Sequence, residues 1–408
     1  MTINHRHLFV LALVLACSNQ VVNGGTNANL QYDNSFDPRK HSEPGKRDYH
    51  IDLNTLIDQA LTSETELKNL YNHYRAKHRV SHGNHETTER LRLFKQYLVR
   101  VQKLRRDASV TWTPGITFMA HMTDCEKSLL KLGNRTDHLD FWNPAKQCSD
   151  DSQYEANDED NVLQAISYPT SYDWRASGAV TPVKDQASTG HCWAFAAVTV
   201  MEAWLMKLRG DIDELSTQEL ADCVYYGQEF QFKSGGMPHH ALNHVKNEKR
   251  LGYRYQIKER EEGVGGSCSY GRWAKNALED FGVEIDRVVP LFLLNLKDEK
   301  KAEDYMKILY KISPVVVVIR VDNDLDTYIG GPFDPRTSNC AKAKGSHHAV
   351  AIVGYDSDYF YIKNSWGPEW GNDGYLWWIR APGGEDCNMY AQPSFITMKI
   401  TRKKLKMK

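Results

Sequence analysis

The chain has 408 residues, 51 basic and 52 acidic, with a formal net charge of −1 at pH 7 and 41% apolar residues. That balance gives no electrostatic case for a nucleic-acid partner. The length leaves room for processed segments beside a globular domain.

In chain order, the N-terminus carries His5-Arg6-His7 and then the apolar run Leu8 to Ala16. Such a run is too short to span a bilayer but suits a signal-peptide core. Residues 1–25 are read as a signal peptide cleaved between Ala16 and Gly25, so the expected route is the secretory pathway with no stable membrane anchor. Ala16-Cys17 also has the form of a bacterial lipoprotein site, which stays open as an alternative. Residues 26–60 are polar, lack clear periodicity and are expected to be disordered. From Glu64 to Asp107, Leu67, Leu70, Tyr71 and Tyr74, then Leu91, Phe94, Leu98, Val101 and Leu104, recur at helical spacing among basic residues and predict a pair of helices. The acidic stretch from Asp150-Asp151 to Asp158-Glu159-Asp160 reads as an exposed linker open to processing.

The run Gln186-Ala187-Ser188-Thr189-Gly190-His191-Cys192-Trp193-Ala194-Phe195 places a cysteine where a helix begins. Trp193, Phe195, Ala196, Ala197, Val200, Met201, Trp204, Leu205 and Leu208 follow at helical spacing, and Gly210 suits the C-cap. Unpaired N–H groups and the positive end of the helix dipole favour a thiolate there. A thiolate needs a base and the base needs an orienting group. His347-His348 and the strand-like run to Tyr355, the turn Asp356-Ser357-Asp358, and a second strand-like run from Tyr359 to Asn364-Ser365-Trp366-Gly367 would bring His348 beside Asn364. His239-His240 and His347-His348 lack any Cys-x2-Cys ligand pattern, so neither a metal nor another cofactor is expected.

These motifs, with Asp173-Trp174-Arg175, the stretch Gly178 to Gln186, the stretch Leu215 to Cys223 and Ser234-Gly235-Gly236 in order, resemble the papain family of cysteine proteases in the layout of a cathepsin L-like preproenzyme. His348 and Asn364 lie 156 and 172 residues after Cys192, slightly beyond the roughly 130–150 of the papain signature, which implies modest insertions. The resemblance implies an α+β, papain-like two-domain fold in residues 166–408. A helical half and an antiparallel β-barrel-like half would flank the active-site cleft, preceded by a helical inhibitory prodomain over 61–165. It implies a cysteine endopeptidase made as a zymogen. Cys192 would be the nucleophile, His348 the base, Asn364 its orienter and Gln186 an oxyanion donor, with Trp366 shielding the His–Asn bond. Gly235 and Gly236 would pair with an extended substrate, while Met237, Pro238, Val318, Ser346 and Ala349, with Gln392 at the base, would line a pocket for Leu, Val or aromatic residues.

Glu86, Arg90 and Phe94 match the start of the family's ERFNIN-type prosegment motif, with Tyr97, Val101 and Arg105 in its remaining positions, of which Tyr97 and Arg105 are non-conservative departures. Gly115 to His121 aligns with the second prosegment motif, with Thr117, Met119 and His121 replacing its Asn, Phe and Asp. Cys223 with Cys268 and Cys340 with Cys387 would form two of the family's disulfides. Thr189 and Lys233 stand where the third would be, a loss of about 2–5 kcal/mol that implies compensation elsewhere. Cys125 and Cys148 are candidates for a prosegment pair, and Asn134-Arg135-Thr136 is a glycosylation sequon. His191 replaces the usual serine and reads either as an exposed bystander or as a charge acting on Cys192. Expected partners are protein or peptide substrates, the chain's own prodomain and cystatin-like inhibitors, with a monomer acting in lysosomes or outside the cell. A catalytically weak homologue acting as a binding or inhibitory protein is the alternative.

Overall fold

The computed structural model describes residues 52–81, 87–131, 167–210, 213–225, 235–254, 268, 270, 274–290, 298–340, 346–380, 387, 389 and 394–401. The signal-peptide, acidic-linker and sequon readings, with Glu86, Cys148, Lys233 and Gln392, lie outside them. The described chain forms two compact units, one running through Lys127 together with Asp326–Ile329, the other comprising Ser128–Leu325 and the residues from Gly330 onward.

The first unit contains α1 (Leu53–Thr62), α2 (Glu64–Lys77) and α3 (Thr87–Arg106). Their apolar faces meet in a core that includes Ile57, Leu67, Leu70, Tyr71, Tyr74, Phe94, Leu98 and Val101. Ser63 is extended and its hydroxyl accepts from Glu66 N, which ends α1 and caps α2. Helix α1 lies mostly within the stretch expected to be disordered. Leu53, Leu56, Ile57, Ala60 and Leu61 give it one narrow apolar stripe, too short to stand out from the sequence. The Arg105 guanidinium donates to Asn54 Oδ1 and ties α1 to α3.

Beyond α3 the chain is met by residues 326–329, which return from some two hundred positions away. Gly115 N donates to Thr327 O at 2.8 Å, and Ile329 N donates to Thr113 O at 3.1 Å. Gly115 is required there, because a Cβ would collide with the Ile329 side chain. Tyr97 and Thr117, two of the departures from the prosegment motifs, serve this junction together. The Tyr97 hydroxyl lies 3.0 Å from Thr117 Oγ1 and 3.0 Å from Asp326 O, and Thr117 Oγ1 donates to Asp326 O at 2.7 Å. A short helix, α4 (Asp124–Leu129), follows.

The second unit packs α5 (Cys192–Arg209), α6 (Thr217–Cys223), α7 (Pro238–Glu248), α8 (Ala277–Phe281) and α9 (Asp298–Lys311) with an eight-stranded sheet. Helix α5 is apolar on nearly every face and buried through Ala203, as a helix at the centre of a core should be. It ends where Gly210 turns left-handed at φ 77° and donates to Met206 O. The strands are β1 (Tyr172–Asp173), β2 (Val283–Pro290), β3 (Val315–Arg320), β4 (Pro332–Phe333), β5 (His347–Tyr355), β6 (Tyr359–Lys363), β7 (Tyr375–Ile379) and β8 (Ser394–Ile400). Their order is β2-β8-β3-β5-β6-β7-β4, with β1 added on β5.

Two details differ from the barrel-like antiparallel half expected. The sheet is an open path, and β4 runs parallel to β7. Closing a barrel needs a full-length edge strand. The β4 edge has two residues, and Pro332 has no N–H to offer. The disulfides Cys223–Cys268 and Cys340–Cys387 both form.

Candidate active site

Cys192 is the first residue of α5, and its side chain has no exposed surface. Its Sγ accepts a hydrogen bond from Ala349 N at 3.5 Å, which seats the sulfur against the backbone that joins His348 to Ala349. Burial pushes the thiol up to about 12, against the opposing pull of the Ala349, Trp193 and Cys192 N–H groups. The sequence predicts a thiolate at this helix start. Desolvation at this depth opposes the helix N-terminus and favours the neutral thiol.

His348 comes from β5 and Asn364 follows β6. Two Asp356 contacts shape the turn between the strands, with Oδ1 accepting from Asp358 N at 2.8 Å and Tyr359 N at 2.7 Å. The ladder pairs Ala351 with Lys363, and continuing that register places Trp366 opposite His348 and Asn364 diagonally from it. The side chains follow suit. His348 Nε2 lies 2.7 Å from Asn364 Oδ1, and the Trp366 ring stacks on the imidazole at 4.4 Å between centroids. Asn364 Oδ1 also accepts from Ser365 N at 2.8 Å. A carbonyl oxygen can only accept, so Nε2 carries the proton and Nδ1 is the basic nitrogen of the neutral ring. His347 is the half-buried neighbour, with burial, then the Arg320 cation, lowering its pKa.

Gln186 reaches the site because its backbone pairs with the segment after β6. Gln186 N donates to Ser365 O at 2.8 Å and Gly367 N donates to Lys184 O at 3.1 Å. The Gln186 amide is oriented by Ser365, whose hydroxyl donates to Oε1 at 2.6 Å. Nε2 therefore faces the other way and donates to Thr189 O at 2.5 Å and Leu130 O at 3.1 Å. Ser365 and Leu130 were not singled out in the sequence. The first could have been found from its place in Asn364-Ser365-Trp366, whereas no local pattern marks the second.

Behind Asn364 lies a buried ionic group that the sequence does not announce. Lys363 Nζ donates to Thr181 O at 2.8 Å, Thr181 Oγ1 donates to Glu202 Oε2 at 2.5 Å, and Lys184 Nζ meets Glu202 Oε1 at 2.6 Å. Burial, with the neighbouring Lys184 cation, pulls Lys363 down to about 8 against the attraction of Glu202 and Glu214.

Of the pocket residues, Pro238, Val318 and Ala349 are buried, and Gly235, Met237 and Ser346 are half-buried. Val318 and Ala349 are direct partners across β3 and β5, and Ser346 O accepts from Val321 N. Gly236 is buried between Trp193 and Tyr225. His191 is 6% exposed, which corrects the reading of an exposed bystander. Its carbonyl accepts from Ala194 N and Phe195 N in the first turn of α5, and this inward position buries the ring.

With this geometry in place, the comparisons are specific. The family model of papain family cysteine proteases matches residues 168–397. Papain of Carica papaya is 31% identical over 351 residues, covering 83% of this chain and 89% of its own length. The P34 probable thiol protease of Glycine max is 30% identical over 335 residues, covering 79% and 81% respectively. The solved proform of Amb a 11, a ragweed pollen cysteine protease, shares the fold with a TM-score of 0.66 at 23% identity, covering 84% of this chain and 96% of that one.

Proposed function

Because the chain belongs to the papain family of cysteine proteases and is a peptide hydrolase, we propose that Cys192, His348, Asn364 and Gln186 carry its chemistry. The observation that carries this reading is the His348–Asn364 bond beside a thiol seated on the next peptide group. The Cys192 thiol gives its proton to His348 Nδ1, and the thiolate of the resulting thiolate–imidazolium pair attacks the scissile carbonyl carbon. The carbonyl electron pair moves onto oxygen, where Gln186 Nε2 and the Cys192 N–H receive it, an interaction worth about 3–4 kcal/mol of barrier. The tetrahedral adduct collapses, the C–N bond breaks, and the imidazolium protonates the leaving amine. Water, deprotonated by the same Nδ1, then cleaves the thioester and returns the thiol. Asn364 holds the ring in the tautomer that keeps Nδ1 available, and Trp366 covers that bond.

The enzyme is a zymogen in this reading, with an inhibitory prodomain ending near Ala165 and removed on activation. Two observations support latency. The Gln186 amide is occupied by the carbonyl of Leu130, upstream of the proposed boundary, and the Cys192 sulfur is wholly buried. The reading extends to an endopeptidase that travels the secretory pathway to lysosomes or the exterior. Gly235-Gly236 would bind the substrate backbone, with a pocket preference for Leu, Val or aromatic residues. Acid-converted chain should hydrolyse such peptides and take up one thiol-reactive epoxide at Cys192. Absence of both reactions would overturn the proposal in favour of a binding or inhibitory role.

A further inference from the structure

Tyr225 follows α6 and lies against the backbone of residues 235–237. Its hydroxyl accepts from Met237 N at 2.9 Å and lies 2.9 Å from His240 Nδ1, so one oxygen links the backbone to α7. Its ring meets Trp193, the neighbour of Cys192, edge-on at 5.4 Å, and His240 at 5.8 Å. Gly236 is held between the two aromatic rings. A Cβ there would lie 2.6 Å from Tyr225 Cε2 and 2.6 Å from Trp193 Cε2. Met237 is extended, at φ −116° and ψ 132°. The Gly236 carbonyl shares a trans peptide unit with the Met237 N–H, so a Met237 N–H committed to Tyr225 turns that carbonyl outward.

We propose that Tyr225 is a positioning residue for substrate binding, which with His240 and Trp193 fixes the Gly235–Met237 segment from behind so that the outward Gly236 carbonyl is ready to pair with an extended peptide. The inference rests on the reading of Gly235-Gly236 as the substrate strand. It deepens that reading by naming a device outside the catalytic residues and the pocket wall. The hydroxyl can take the Met237 proton and give its own to His240 Nδ1. Removing the hydroxyl strands the amide without removing the ring that packs on Gly236.

Tyr225→Phe in the full-length chain is the test. Amide hydrogen exchange across residues 235–237 should quicken about tenfold, with other segments unchanged. After acid conversion, KM for a peptide substrate should rise roughly 3- to 10-fold, the equivalent of one lost hydrogen bond, with kcat within twofold. A peptidyl epoxide should react correspondingly more slowly with Cys192, while iodoacetamide, which needs no strand, reacts at the wild-type rate. His240→Leu should reproduce these changes, and His240→Gln, which keeps an acceptor, should largely restore wild-type values. Unchanged exchange and KM would overturn the proposal. So would equal losses with the peptidyl and small reagents, or a Tyr225→Phe chain that does not fold while His240→Leu behaves as wild type. Failure of the wild-type chain to hydrolyse any peptide would instead overturn the proposed function, leaving the exchange measurement to decide the Tyr225 contact.

Discussion

At the residue scale, the contrast between Cys192 and its surroundings carries the most information. A sulfur at a helix start is predisposed to ionise, yet complete burial raises its pKa to about 12. At pH 7 a thiol whose pKa is raised so far is overwhelmingly neutral. Iodoacetamide should therefore modify the full-length chain very slowly at neutral pH, and the rate should climb with pH well beyond the usual thiol range. After conversion, the rate at pH 7 should rise at least a hundredfold. Equal rates before and after would contradict the link between burial and latency. Ser365 is a second residue whose part is defined by geometry. Its hydroxyl holds Gln186 Oε1, so Ser365→Ala should free the amide to rotate and misdirect Nε2. A fall in kcat of roughly tenfold with little change in KM is the expected result, smaller than the 10²–10³ of losing the donor itself. Steady-state kinetics on a converted chain would check it.

At the element scale, the first unit offers one ion pair through which low pH would loosen the proposed prodomain. The Arg90 guanidinium of α3 grips Glu126 of α4 through two bonds of 2.5 and 2.6 Å, and also donates to His121 O at 3.2 Å. Burial pushes the Glu126 carboxyl up, but Arg90 and the Thr123 N–H outweigh it and hold the group below its ordinary value. A carboxylate whose folded pKa is depressed contributes stability that is present above its unfolded pKa and lost as pH falls through the folded one. Glu126→Gln imitates the protonated state, so conversion of the zymogen should begin at a higher pH, read as the midpoint of conversion on a gel. An unchanged midpoint would remove Glu126 from the acid response. His121 is a weaker candidate for that role. The Tyr74 hydroxyl gives its proton to Phe118 O and accepts from His121 Nδ1, so protonating Nε2 leaves that bond in place.

Which elements were legible follows from how local their causes are. Helix α5, its Gly210 cap and the β5–β6 hairpin each declare themselves within about twenty residues, and that hairpin alone brings His348 to Asn364. Helix α1 was not legible because its apolar stripe spans barely two turns. The return of residues 326–329 onto Gly115 and Thr117, and the Leu130 carbonyl on Gln186, join positions dozens to hundreds of residues apart. Backbone hydrogen bonds of that kind carry no side-chain signature. The paired departures Tyr97 and Thr117 looked like separate losses of a motif. They are partners in one hydrogen-bonded junction.

At the scale of the whole protease unit, the helix that carries Cys192 and the sheet that carries His348 are joined behind the site by buried charge. Glu202 lies on α5 and Lys363 at the end of β6, with Thr181 and Lys184 bridging them. Such a group costs desolvation and specifies a single arrangement of the two layers. Lys363 makes this measurable. With its folded pKa near 8 and an unfolded value near 10.4, it is charged in both states below about pH 8 and contributes no pH dependence there. Above pH 8 the folded chain releases a proton that the unfolded chain still holds, so stability gains with rising pH until the unfolded lysine also titrates. The whole gain is about 3 kcal/mol at most. Lys363→Met abolishes that dependence while keeping the volume of the side chain. The unfolding free energy of wild type minus that of Lys363→Met should therefore be flat from pH 6 to 7.5 and then increase in favour of wild type up to about pH 10. A difference that stays constant across the range would mean that Lys363 keeps its proton when folded, and that Glu202 holds the two layers through an intact pair of lysine cations.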